Sequence, residues 1–165
     1  MAIHKRVEEA MNRQLAFEVH SAYVYLGMSA YCEAQSLPGF AKWLRAQYQE
    51  ELDHAMKFYS FILDRGGRVT LDAIEKPATD YKSPLAVFEA ALTNEESVTA
   101  AIDDLYTLTD EERDYASQAF LNWFVTEQVE EEKIVGEVVD SLRRVGEKGE
   151  ALFLLDRELG NRGAE

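Results

Sequence analysis

The 165 residues carry 31 Asp and Glu against 17 Lys and Arg, a formal net charge of -14, with 47% hydrophobic residues, nine Gly and three Pro. That balance disfavours a nucleic-acid or anionic-membrane partner, and it suits one compact domain built from long helices rather than a disordered chain. The single Cys32 excludes an intramolecular disulfide framework and any CxxC metal site. Neither "MAIHKRVEEAMNRQ" nor any later stretch has the apolar run of a signal peptide or of a membrane span of roughly 20 residues, so a cytoplasmic protein is expected.

Helical periodicity marks four long segments, at about 6–34, 39–66, 84–112 and 114–145, each roughly 40 Å long at a rise of about 1.5 Å per residue. "LPG" (37–39) separates the first two, "RGGR" (65–68) ends the second and "KSPL" (82–85) opens the third. A last short helix, within about 149–159, follows "RVGEKG". Between the second and third helices, "GRVTLDAIEKPATDYKSP" is too long for a tight turn and too polar for a core element. A crossover of that length runs the height of a bundle and starts the third helix at the same end as the second, whereas the short links make antiparallel pairs. The expected class is all-α, an antiparallel four-helix bundle with one long crossover and a short fifth helix, over a single domain of residues 1–165.

Alternating steps of four and three trace one face of each helix. The first reads Met11, Leu15, Glu18, Ala22, Tyr25; the second reads Phe40, Leu44, Gln47, Glu51, His54, Phe58, Ile62. The third reads Leu85, Phe88, Leu92, Glu95, Thr99, Ile102, Tyr106, and the fourth Leu121, Phe124, Gln128, Glu131, Val135, Val138, Leu142. Every stripe carries an acid, and each acid lies near the middle of its helix. Helix midpoints share a level in a bundle whichever way each helix runs, so Glu18, Glu51 with His54, Glu95, and Gln128 with Glu131 converge on one central volume.

Ionised carboxylates in an apolar core each cost several kcal/mol of desolvation, and like charges add to that cost. No Lys or Arg stands on the central part of the stripes, which leaves shared protons or bound metal. Glu51 and His54 at i, i+3 project from one face, and Glu-x-x-His with carboxylates from the other helices is the inward pattern of di-iron carboxylate bundles. Oxygen-rich ligation with one imidazole suits iron or manganese and disfavours a thiolate-type zinc site.

Glu50, Glu127 and Glu130 each precede an inward position by one residue, a rotation of about 100°. If the second and fourth helices are antiparallel neighbours, these three acids form a rim beside the core site. His20 is set aside because it lies about 200° around the helix from Glu18, and His4 because a terminus is expected to fray. For Asp110, Glu111 and Glu112, capping the fourth helix is a better reading than lining a pore.

Taken together, "NRQLAFEVHSAYVYLGMSAY", "QEELDHAMKFYSFILDRGGRV", "NEESVTAAI", "FLNWFVTEQVEEEK" and "ALFLLDRELG" resemble the non-haem ferritins of bacteria and archaea, over nearly the whole chain. The resemblance implies a ferritin-like bundle with a ferroxidase centre. One iron would be held by Glu18, Glu51 and His54 and the second by Glu51, Glu95 and Glu131, with Gln128 close by and Glu51 as the bridge. It further implies a third iron site at Glu50, Glu127, Glu130 and Glu131, with Tyr25 and Trp123 beside the centre as one-electron donors.

The same resemblance argues against haem. Leu52 stands where bacterioferritins carry their haem-ligating Met, and the fourth helix offers Gln128 and Glu131 in place of a second Glu-x-x-His. The expected activity is oxidation of Fe(II) by dioxygen, with storage of ferric mineral inside a homo-oligomeric cage of twenty-four subunits whose last helix lines four-fold channels.

Overall fold

The structure, a computed structural model, describes residues 2–146 and 149–162. Positions 147 and 148 of the "RVGEKG" link, Met1 and the last three residues of the expected domain lie outside the described residues. The helices are α1 (Lys5–Ala34), α2 (Pro38–Asp64), α3 (Pro84–Glu111), α4 (Tyr115–Val145) and α5 (Glu150–Leu159), and no strand occurs among the described residues.

Local chemistry sets the helix ends. Ser83 caps α3 by accepting from the Ala86 amide at 3.1 Å, with Pro84 in the first turn, where its missing N–H costs nothing. Asp114 caps α4 through the Ser117 amide at 3.2 Å and is itself paired with Arg65 at 3.0 Å. The cap of α4 is therefore Asp114 and not the acidic run before it. Glu111 and Glu112 instead pair with Arg6, and Asp110 accepts from Gln118. His4 lies 3.2 Å from the Glu112 carboxylate, so the start of α1 is tied to the end of α3 rather than frayed.

Side-chain contacts fix the helix directions. Tyr25 of α1 meets Glu95 of α3, while Val7 and Met11 pack in one cluster with Ile102 and Leu105; α1 and α3 therefore run antiparallel. Across the bundle Gln47 meets Glu131 and Phe58 meets Phe124, which makes α2 and α4 antiparallel as well. It follows that α3 runs alongside α2, and the crossover must climb the whole bundle.

It does so along α1. Near one end Asn12 donates to the Arg68 carbonyl and accepts from the Thr70 amide, and near the other the rings of Tyr31 and Tyr81 stand 5.4 Å apart. Between them Gly27 lets the strap close on the helix: a Cβ there would sit 2.7 Å from the Ala78 carbonyl oxygen.

Two apolar clusters fill the bundle. Tyr25, Met28, Phe40, Leu44, Phe88 and Val135 belong to one, and Met11, Leu15, Phe58, Ile62, Ile102 and Phe124 to the other. Each such side chain contributes about 1.5–3 kcal/mol by leaving water. The stripes of α1, α2 and α4 are buried as their spacing predicts. On α3 the buried face runs Phe88, Ala91, Glu95, Val98, Ile102, Leu105, leaving Leu85, Leu92, Thr99 and Tyr106 at its flank. Phe88, Glu95 and Ile102 are common to both stripes; the buried face fills the gaps between them with Ala91, Val98 and Leu105 on one flank, where the expected stripe used Leu92, Thr99 and Tyr106 on the other.

Helix α5 docks on the start of α2. The buried Asp156 accepts from the Phe40 amide at 2.9 Å, which supplies the cap that Leu37 cannot. The fit depends on Gly39, where a Cβ would lie 1.7 Å from the Asp156 carbonyl oxygen. Gly39→Ala is therefore expected to push α5 away and cost about 1–3 kcal/mol. Hydrogen exchange should show faster amide exchange across 150–160, with the centre of α1 unchanged.

Candidate metal centre

Between the two apolar clusters sits the polar layer. Glu18, Glu51, His54, Glu95, Gln128 and Glu131 are all buried, each at 4% exposure or less, and this holds four carboxyl groups and one imidazole in a volume without water access. Ligand atoms of Glu18, Glu51 and His54 all lie within 4.8 Å of one another, and so do those of His54, Glu127 and Glu131. His54 stands between the two groups, its Nδ1 3.3 Å from a Glu51 oxygen and its Nε2 3.8 Å from Glu127. Its ring is braced edge-on by Trp123 and Phe124 at 5.3 and 6.0 Å.

Hydrogen bonds fix some carboxylate oxygens and leave others bare. Gln14 donates to one oxygen of Glu18 at 2.9 Å, and Gln47 to one of Glu131 at 2.8 Å. Glu95 accepts from the Tyr25 hydroxyl on one oxygen and from the Gln128 amide, at 3.2 Å, on the other. Among the described residues, the second oxygen of Glu18, both oxygens of Glu51 and Nδ1 of His54 have no partner of good hydrogen-bond geometry. Leaving a buried polar atom unmatched costs about 1–3 kcal/mol, more when charged. Such atoms on three residues whose ligand atoms lie within 4.8 Å of one another fit a cation site.

The electrostatics agree. Burial raises the Glu18 carboxyl well above the carboxylate range, and neighbouring Glu51 raises it further. Glu51 is raised by burial and then by Glu95, and Glu95 by burial, although Tyr25 and Gln128 oppose the rise. Glu131 is pushed to about 7, by burial and then by Glu95. The Tyr25 hydroxyl is driven well above its ordinary value by burial and by Glu95 beside it. In the metal-free protein, then, the cluster is held together by protons that a multivalent cation would displace.

Not every residue expected in the site falls where the sequence put it. Glu95 closes no three-ligand group with the others; its oxygens are turned to Tyr25 and Gln128. Glu127 leans inward to His54 and Glu131 rather than outward with Glu50 and Glu130. Glu130 is exposed, and Glu50 is held by Arg162 of the C-terminal segment at 3.1 and 3.3 Å. Trp123 is 41% exposed, with Lys57 4.5 Å above its ring.

Three participants escaped the sequence reading. Gln14 precedes the apolar stripe position Leu15 and was invisible as such, though its i, i+4 spacing to Glu18 is a usable signal. Gln47 stood on the α2 stripe with no partner assigned. Arg162 lies beyond the last helix, where no periodicity reports on it.

Four long helices around a buried layer of acids and one histidine, with a short fifth docked at one end, define an all-α bundle whose central carboxylate and imidazole groups could hold a metal ion. Residues 8–145 match the Ferritin model, described as a ferritin-like domain, and the chain belongs to this family. It is 39% identical to a probable bacterial non-heme ferritin-like protein of Haemophilus influenzae, over 96% of each chain. It is 38% identical to a bacterial non-heme ferritin of Staphylococcus aureus, over 97% of this chain and 96% of the relative. Among solved structures, the open pore ferritin of the hyperthermophilic archaeon Archaeoglobus fulgidus superposes with a TM-score of 0.96 at 46% identity, covering 98% of this chain and 99% of that one.

The raised carboxyl groups give a pH dependence of definite sign. An acid whose folded pKa exceeds its unfolded value stabilises the fold below the unfolded pKa and loses that contribution as pH rises through the folded one. With chelator present, denaturant melts are expected to show falling stability between about pH 4.5 and 7, the window bounded by the ordinary Glu value and the Glu131 value. Glu131→Gln cannot ionise and should lose less over that window; parallel curves for the two proteins would refute the assignment.

Proposed function

We propose that this chain oxidises Fe(II) with dioxygen at the buried centre and stores the product as ferric oxyhydroxide inside a cage of its own copies. The observation that carries this reading is the set of unmatched buried atoms on Glu18, Glu51 and His54. One cation would answer all of them at once in place of the protons, and hard carboxylate oxygens with one imidazole suit iron. Family membership, and relatives named as non-heme ferritins, support iron as that cation and storage as its fate.

In this reading Fe(II) is substrate and cargo. Glu18, Glu51 and His54 bind one ion; Glu51, Glu95 and Glu131 bind the second, Glu95 and Glu127 turning by side-chain rotation as ions arrive. Gln128 and the Tyr25 hydroxyl, both hydrogen-bonded to Glu95, steady that carboxylate. Two Fe(II) lose one electron each, and one dioxygen gains both and leaves as hydrogen peroxide. Hydrolysis of the ferric ions to oxyhydroxide supplies the protons. Carboxylates favour this course because they stabilise Fe(III) more than Fe(II). Glu50, Glu127, Glu130 and Glu131 form a third iron site on the way out of the centre.

Storage needs a shell, and the whole chain serves as one ferritin-like domain in a cage of twenty-four, working in the cytoplasm without haem. Several large apolar side chains are left in water by the single chain, among them Leu71 at 74% exposure, Tyr115 at 69%, and Phe153 and Leu154 on α5. Such surface is the raw material of subunit contacts. No helix among the described residues is long and apolar enough to cross a membrane.

Anaerobic loading with Fe(II) followed by air should produce ferric absorbance. Glu51→Ala and His54→Ala are expected to slow it by at least about tenfold, since even residues that merely support metal ligands are worth that much; unchanged rates would remove the centre from the mechanism. Size-exclusion chromatography with light scattering should give the mass of a closed cage. Monomers or dimers alone would leave an oxidase that stores nothing.

A further inference from the structure

A cationic side chain from outside the four long helices reaches the edge of the acidic layer. Arg162 follows α5, whose last turn is fastened to α2 by the Lys42 ammonium donating to the Gly160 carbonyl at 2.8 Å. Its guanidinium lies 4.6 Å over the Trp43 ring, and Nη2 donates to both oxygens of Glu50 at 3.1 and 3.3 Å. Nη1 donates at 2.5 Å to the amide oxygen of Gln47. Gln47 is fully buried, and its amide nitrogen donates to Glu131 at 2.8 Å.

These contacts form one chain, Glu50 to Arg162 to Gln47 to Glu131, leading from the half-exposed rim to the buried centre. Each link fixes the next. An amide oxygen accepting from a guanidinium cannot also face a carboxylate, so Arg162 settles which way Gln47 points and thereby gives Glu131 a hydrogen-bond donor.

We propose that Arg162 is a built-in counter-cation of the rim: a metal ion that takes Glu50 must displace it, and its departure releases Gln47 and so loosens Glu131. The inference rests on the iron-site reading of the rim acids given above. Arg162 is a positioning residue here, acting on the centre only through Gln47. The pair is suited to exchange. Its side chains are 25% and 43% exposed, and at such exposure an ion pair is worth no more than about 1 kcal/mol, small beside the pull of a multivalent cation on the same carboxylate. Rim and centre thus become linked: a cation at Glu50 frees one oxygen of Glu131 to take part in binding.

Trp43 reports on the displacement, because the guanidinium stacked on it has to move. With Trp123→Phe the protein keeps Trp43 as its one tryptophan. Titration of that variant with Zn(II), which does no redox chemistry, is expected to change Trp43 emission as Zn(II) occupies the rim. Adding Glu50→Gln or Arg162→Gln should abolish the change. By calorimetry Arg162→Gln should bind Zn(II) at the rim roughly twofold to fivefold more tightly, the scale of one half-exposed ion pair removed. Arg162→Lys should fall between the two.

Equal Zn(II) affinity in wild type and Arg162→Gln, with Trp43 emission flat, would overturn the proposal. In that event binding that is still lost in His54→Ala would leave the metal centre standing. Absence of Zn(II) binding in every variant would overturn both. If Arg162→Gln fails to fold, the Glu50→Gln comparison decides, since that position is half in solvent and leaves Arg162 on Gln47.

Discussion

The structure is organised around a deficit of positive charge. Four carboxyl groups and a histidine sit at the mid-height of a helix bundle, cut off from water, and no Lys or Arg from the four long helices reaches them. Desolvation alone would neutralise these acids, and their crowding pushes in the same direction. A fold that tolerates this in every copy must be stabilised elsewhere. The two apolar clusters above and below the layer supply that stabilisation. Each draws on α1 to α4, which fixes the helix backbones that carry the acids.

What the layer does follows from how unevenly its oxygens are satisfied. Gln14 holds one oxygen of Glu18 and Gln47 one of Glu131, Tyr25 and Gln128 hold both oxygens of Glu95, and Glu51 is left bare. Glutamine is well suited to the task, since its amide donates to a carboxylate without the charge that would compete with a metal. The restrained oxygens set direction and the bare ones set affinity. Tyr25 belongs to the restrained side, and its burial next to Glu95 makes loss of its proton alone costly.

Charge enters from the periphery. Arg162 and Lys57 are held on aromatic faces, Trp43 and Trp123, on the two sides of the α2 face that carries Glu50, Glu51 and His54. Cations stacked on tryptophan keep part of their hydration and are cheaper to move than cations buried among acids. The fold therefore keeps its own positive charges near the centre yet outside it.

Local patterning is enough to specify the helices, the crossover and the identity of the central acids. An apolar stripe interrupted at mid-helix is a local signal, and Glu18, Glu51, His54, Glu95, Gln128 and Glu131 were legible because each sits in such a stripe. Tertiary structure decided the partners. Side-chain rotation, which no spacing encodes, turned Glu95 to Tyr25 and Gln128 and brought Glu127 to His54. The phase of α3 was settled by its neighbours, because Phe88, Glu95 and Ile102 can be joined through Leu92 and Thr99 or through Ala91 and Val98 with equal spacing, and packing buries the second set. Arg162 could be placed only by the docking of α5, where Gly39 and Asp156 bring a distant end of the chain against α2. Contacts between residues more than a hundred positions apart depend on the whole packing, and no local pattern carries them.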